Sequence, residues 1–72
     1  MLRRKLSLER IRAIRKDRGL SQGKVAKALG LCRTSYTNVE LGNQNLRAVD
    51  LVTLSNLFQV SIDEFCEVQD GS

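Results

Sequence analysis

The sequence predicts an all-α domain of five helices, and three observations carry that prediction. The 72 residues contain no proline, and strand-like alternation is nowhere sustained. One pattern marks four helix starts: an apolar residue, a capping position, and a second apolar residue five positions after the first. Residues 21–42, SQGKVAKALGLCRTSYTNVELG, read as two short helices joined at Gly30. A chain of this length builds one modest core, so residues 1–72 are read as a single domain.

Residues 1–6, MLRRKL, read as a flexible basic arm, more a frayed terminus than a segment reaching phosphates or a minor groove. They lack the apolar run of a secretory signal. The first helix is expected from about Leu8 to Arg18, with Leu8, Ile11 and Ile14 inward and Gly19 as its stop. Its start is the staple Leu6-Ser7-Ile11. Helix two is expected from about Gln22 to Leu29, after Leu20-Ser21-Val25, with Val25, Ala26 and Leu29 on one stripe. Gly30 then accepts the positive φ that ends a helix. Helix three is expected from about Arg33 to Leu41, after Leu31-Cys32-Tyr36, with Tyr36 and Val39 inward and Gly42 as its stop. Asn43-Gln44-Asn45 is a polar, turn-prone loop. Helix four starts at Arg47 or Ala48 and runs to Phe58, with Leu51, Leu54, Ser55 and Phe58 spaced for one face. A short helix five is expected from about Ile62 to Glu67, where Val60-Ser61-Phe65 repeats the staple and Glu64 completes a capping box with Ser61. Residues 68–72 read as a flexible tail, docked at most through Val68.

Helices two and three have the layout of a helix-turn-helix. Ala26 is small enough for a close crossing, and the second helix of such a unit can lie in the major groove of DNA. The outward arc of helix three carries Arg33, Thr34, Thr37 and Asn38. Arginine pairs bidentately with guanine, asparagine with adenine, and threonine offers a hydroxyl or a methyl. An ordinary polar helix surface is the competing reading of this arc.

Charge favours the nucleic-acid reading. Residues 1–33 hold eleven Lys/Arg against two acids (+9), and residues 34–72 one Arg against six acids (−5). A basic half beside an acidic half suits one surface for a polyanion and another for solvent or a partner. The two cysteines, Cys32 and Cys66, have no metal-ligand spacing and there is no histidine. An enzyme is not expected, because neither cysteine has a histidine partner and no carboxylate pair is placed for acid–base work. No metal, cofactor or small-molecule ligand is expected. No stretch approaches the length of a membrane span, so no membrane partner is expected, and the cysteine usage points to the reducing cytosol.

With these features in place, the chain resembles the phage-repressor and Cro-like (Xre-type) helix-turn-helix DNA-binding family, from about Leu8 to Phe65. In the bihelical unit the resemblance rests on Leu20, Ser21, Gln22, Val25, Ala26, Leu29, Gly30, Val39, Glu40 and Gly42. Downstream it rests on Asn45, Leu51, Leu54 and the run Val60-Ser61-Ile62-Asp63-Glu64-Phe65. The Asn45-Leu46 lead into helix four looks closer to the small controller proteins of restriction–modification systems, a branch of that family. The resemblance implies five helices, a homodimer, and sequence-specific binding of double-stranded DNA at a palindromic operator. It implies base reading by Arg33, Thr34, Thr37 and Asn38. It implies backbone contacts from Ser21, Gln22, Asn43, Asn45 and Arg47, with Gln22 also supporting the reading helix. It implies a structural pair, Arg15 with Glu40, joining helices one and three.

Several positions depart from the family pattern. Cys32 stands where Ser or Thr usually caps the reading helix, and a thiol is a poor cap; beside Arg33 it is also a candidate for a lowered pKa and oxidation, a redox role that ranks well below simple tolerance. Tyr36 replaces a branched aliphatic, with its hydroxyl expected to reach a phosphate or solvent. Gly23 sits inside helix two, where a charged helix former is usual, and Gln59 replaces the usual glycine after helix four. Apolar residues left over from one small core, Leu57, Phe65 and Val68, are candidates for the dimer seam. The competing function is a protein-interaction module, an antitoxin or an adaptor, working through the acidic C-terminal half. RNA binding is less favoured because stacking aromatics are scarce.

Overall fold

Two serine hydroxyls set the first two helices in the computed structural model, which describes residues 2–70 and the side chains of residues 6–66. Ser7 Oγ accepts from the Arg10 N–H at 3.3 Å and opens α1, Leu8–Asp17. Ser21 Oγ accepts from the Lys24 N–H at 3.1 Å and opens α2, Gln22–Leu29. α3, Arg33–Glu40, follows Cys32, whose side chain makes no such capping bond. α4, Ala48–Phe58, follows Arg47, where the bond runs the other way: the Asp50 carboxylate accepts from the Arg47 N–H at 2.9 Å. That is half of a capping box, and it replaces an N-cap hydroxyl. The four staple residues Leu6, Leu20, Leu31 and Val60 lie partly buried against the core.

Gly30 adopts φ 72° between α2 and α3, and the Leu31 N–H closes on the Ala26 carbonyl at 2.8 Å. This left-handed closure turns α3 back onto α2, where Ala26 is among the buried residues at 1% exposure. The core is formed by Ile11 of α1, Val25, Ala26 and Leu29 of α2, Tyr36 and Val39 of α3, Leu54 and Phe58 of α4, and Phe65.

The same closure recurs after α4 without glycine. Gln59 has φ +58°, the one positive φ outside glycine among the described residues, and the Val60 N–H reaches the Ser55 carbonyl at 3.1 Å. Arg18 Nε donates to the Phe58 carbonyl at 2.9 Å, so an orphan carbonyl at the end of α4 is taken up by α1. A side chain in the left-handed region costs about 1 kcal/mol relative to glycine. Gln59→Gly is therefore expected to raise the thermal unfolding midpoint by several degrees, measured by circular dichroism.

The chain departs from the expected five-helix arrangement at both ends. The fifth helix is a single 3-10 turn, Ile62–Phe65, and the Ser61 side chain makes no capping bond there. The expected loose arm is instead a strand, β1, Leu2–Leu6, and the expected tail contributes β2, Cys66–Asp70. The two pair antiparallel, with Leu6 opposite Cys66 and Leu2 opposite Asp70. The Ser7 N–H continues the ladder onto the Phe65 carbonyl at 2.6 Å. Local alternation is too weak in LRRKL to signal a strand; the pairing comes from the packed turn at Phe65, which brings two segments 60 residues apart in sequence side by side. Residues 1, 71 and 72 of the expected arm and tail lie outside the described residues.

Candidate nucleic-acid interface

α3 presents two edges with different fates. Tyr36 and Val39 are buried, at 0% and 1% exposure, whereas Arg33 and Thr34 are exposed and Thr37 and Asn38 half-buried. The helix is thus anchored by its apolar stripe and offers the four polar side chains along its other side. Lys24 and Lys27 of α2 are exposed, as are Asn43, Gln44 and Asn45 in the loop after α3. Gly42 at φ 85° and the Asn43 N–H bonding the Asn38 carbonyl at 2.8 Å end α3.

Behind the polar edge runs a connected hydrogen-bond network. Arg15 Nε and Nη2 donate to the two Glu40 carboxylate oxygens at 2.7 and 3.2 Å, and Arg15 Nη1 donates to the Leu20 carbonyl at 2.9 Å. One guanidinium therefore ties α1 to α3 and to the turn before α2. Gln22 Nε2 donates to Glu40 Oε1 at 3.1 Å, and the Thr37 hydroxyl donates to Gln22 Oε1 at 3.2 Å. Burial pushes the Glu40 carboxyl up, but the hydrogen bonds from Arg15 and from the neighbouring donors outweigh it and leave the group below its ordinary value.

Tyr36 departs from its expected contact with a phosphate or solvent. Its place on the Val39 stripe carries the ring into the core, and its hydroxyl is buried beside the Arg15–Glu40 pair without reaching hydrogen-bond geometry. Burial, with the Glu40 carboxylate adding to it, pushes the phenol well above the usual tyrosine range, so it stays neutral.

Arg47 is exposed, with its guanidinium forked onto Asp50 at 3.2 Å from both Nε and Nη2. The Arg47-x-x-Asp50 spacing signals this pair, which the sequence reading did not single out. Cys32 is exposed and its Sγ lies 3.2 Å from the Ser35 hydroxyl; that hydrogen bond, with backbone donors of the first turn, lowers the thiol from its ordinary value.

The three residues expected at a dimer seam differ in their surroundings. Phe65 is 0% exposed and packs edge-to-face on Phe58, with ring centroids 5.7 Å apart at 78°, so it belongs to the protomer core. Leu57 is half-buried, and the side chain of Val68 lies outside the described residues. Among the described residues, the large apolar side chains left exposed are Leu41 at 62%, Val49 at 58% and Val52 at 49%. The signal was in the sequence: α4, AVDLVTLSNLF, is apolar on nearly every side, and a small core covers only one of them. Among the described residues, no helix is long and apolar enough to cross a membrane.

Comparisons with known proteins agree with this geometry. A profile of the helix-turn-helix family matches residues 11–65. The chain is 36% identical over 55 residues to an uncharacterized HTH-type transcriptional regulator, YqaE, of Bacillus subtilis (strain 168); the match covers 76% of this chain and 47% of that protein, so the chain spans about half the length of that relative. The crystal structure of the restriction-modification controller protein C.AhdI from Aeromonas hydrophila superposes with a TM-score of 0.71 at 31% identity, over 81% of this chain and 84% of that one. The transcriptional regulator VanUg shares the fold, with a TM-score of 0.68 at 15% identity over 92% and 87% of the two chains. A buried-and-presented second helix, a glycine turn before it and a family match across the core lead to one conclusion: the chain belongs to the Xre-like helix-turn-helix family of DNA-binding transcription regulators.

Proposed function

We propose that the protein is a cytoplasmic repressor that binds a palindromic operator as a homodimer, with α3 in the major groove of each half-site. The observation that carries this reading is the split of α3 into a sealed apolar edge and a polar one, exposed at Arg33 and Thr34 and half-buried at Thr37 and Asn38. Arg33, Thr34, Thr37 and Asn38 read base edges. Ser21, Gln22, Asn43, Asn45 and Arg47, with the basic side chains of α2, hold the phosphates. One domain of this size covers too little DNA for useful specificity, so two copies are required, with half-sites about one helical turn apart. The outer face of α4, Val49 and Val52 with Leu57 at its margin, is the apolar surface offered for that pairing. The similarity to a controller protein supports a regulatory role acting through DNA.

The same exposed residues, with Leu41, support the second reading: an antitoxin or adaptor whose apolar patch takes a different protein, DNA binding being secondary. Selection of bound duplexes from a random pool separates the two. An enriched palindrome is expected, and Arg33→Ala should relax the preference at one position per half-site, a loss of about 1–3 kcal/mol of discrimination. Affinity should fall by orders of magnitude between about 50 and 200 mM salt. A pool without enriched sequence, or binding indifferent to salt, overturns the DNA reading.

A further inference from the structure

We propose that Thr37 meets DNA as a hydrogen-bond acceptor only, its hydroxyl proton committed inward to Gln22, so that it selects a base edge carrying an exocyclic amine: adenine N6 or cytosine N4. The inference rests on the base-reading role given to α3 above and adds the polarity of one contact.

The argument starts at the buried carboxylate and runs outward. Glu40 is 3% exposed and doubly bonded by Arg15, so it is ionised and can only accept. Gln22 lies 3.1 Å from Glu40 Oε1, and an amide facing a carboxylate at that distance must present its NH2. The opposite orientation would set two acceptors against each other. The amide oxygen of Gln22 is thereby turned toward Thr37, whose hydroxyl lies 3.2 Å away. That oxygen cannot donate, so the Thr37 hydroxyl must. A hydroxyl has one proton and two lone pairs. With the proton spent on Gln22, only lone pairs and the methyl remain for the groove. In the major groove adenine and cytosine present an amine donor, whereas guanine presents N7 and O6 and thymine O4, all acceptors. A hydroxyl free to rotate would accept either class; this one is set by an ion pair three residues further along α3.

The test uses the full chain and its selected operator. The position read by Thr37 is the one whose base preference changes in Thr37→Val. At that position, adenine is replaced by unsubstituted purine, or cytosine by 2-pyrimidinone, each lacking only the amine. The wild-type protein should lose about fivefold in affinity on amine removal, and Thr37→Val less than twofold. Gln22→Met, which removes the inward acceptor, should show a reduced dependence on the amine and a relative gain for duplexes carrying guanine or thymine there. The wild-type measurement stands even if a variant folds poorly. The proposal is overturned if amine removal is neutral for the wild type. It is overturned equally if amine removal at the Thr37-sensitive pair costs Thr37→Val as much as it costs the wild type, if no position responds to Thr37→Val, or if Gln22→Met keeps the full amine dependence. In those cases an enriched palindrome and an Arg33→Ala effect leave the proposed function standing; a pool without enriched sequence removes both.

Discussion

Glu40→Ala is expected to cost about 3–5 kcal/mol of folding stability, because it leaves the Arg15 guanidinium buried without its counter-ion. That is a large part of the roughly 5–15 kcal/mol that holds a domain folded. Urea unfolding should show a midpoint far below that of the unaltered protein, or no folded baseline at 37 °C. Replacing both partners, Arg15→Met with Glu40→Leu, should recover most of the loss, because no unpaired charge is then left buried at that site. The double variant would be stable yet would lose the orientation of Gln22 and Thr37, and its DNA binding would not recover with its stability. Acid should mimic the single variant. The folded Glu40 carboxyl titrates below its ordinary value, so its contribution is complete above the unfolded carboxylate range, about pH 4.3, and disappears as pH falls through the folded value. Asp50 is likewise lowered, by its hydrogen bonds from Arg47. Part of the acid sensitivity should therefore persist in the double variant.

Phe58→Ala should be comparably severe, at about 3–5 kcal/mol. Its ring is fully buried and meets the Phe65 ring in a T-shaped contact. The truncation leaves a cavity at the end of α4 and unseats the 3-10 turn. Phe65 supplies the carbonyl that receives the Ser7 N–H, so the start of α1 and the ribbon beside it lose a tether as well. Phe58→Leu should cost much less, since it keeps most of the volume. A double-mutant cycle between positions 58 and 65 should return a coupling of about 0.5–1.5 kcal/mol beyond the loss of buried area. A coupling near zero would mean that the two rings stabilise the core independently.

How far the sequence could be read divides along a physical line. The four helices were legible because Ser7, Ser21 and Gly30 act locally: a cap or a turn residue imposes its geometry wherever it stands. The polar edge of α3 was legible for a related reason, since Tyr36 and Val39 mark the opposite side. Tyr36 shows the limit. Periodicity places it inward, but how deep its hydroxyl goes depends on the volume left beside Arg15 and Glu40, which is a property of three packed elements. The pairing of residues 2–6 with 66–70 is non-local altogether: LRRKL does not alternate, and the alternation of Cys66-Glu67-Val68-Gln69 is too short to announce a strand on its own. Phe65 reads as seam material in the sequence because counting apolar residues does not reveal which ones the core has room for. Val49 and Val52 were left outside by that same limit.

The ribbon also has a mechanical side. Its strands are antiparallel, with residues 2 and 70 at its open end and the Ser7–Phe65 bond at its closed one. Force applied at residues 2 and 70 in opposite directions therefore loads the rungs one at a time, as a zip is opened, not all together in shear. Such a pull would peel the ribbon at low force, and the helices would bear tension only once that last bond had parted.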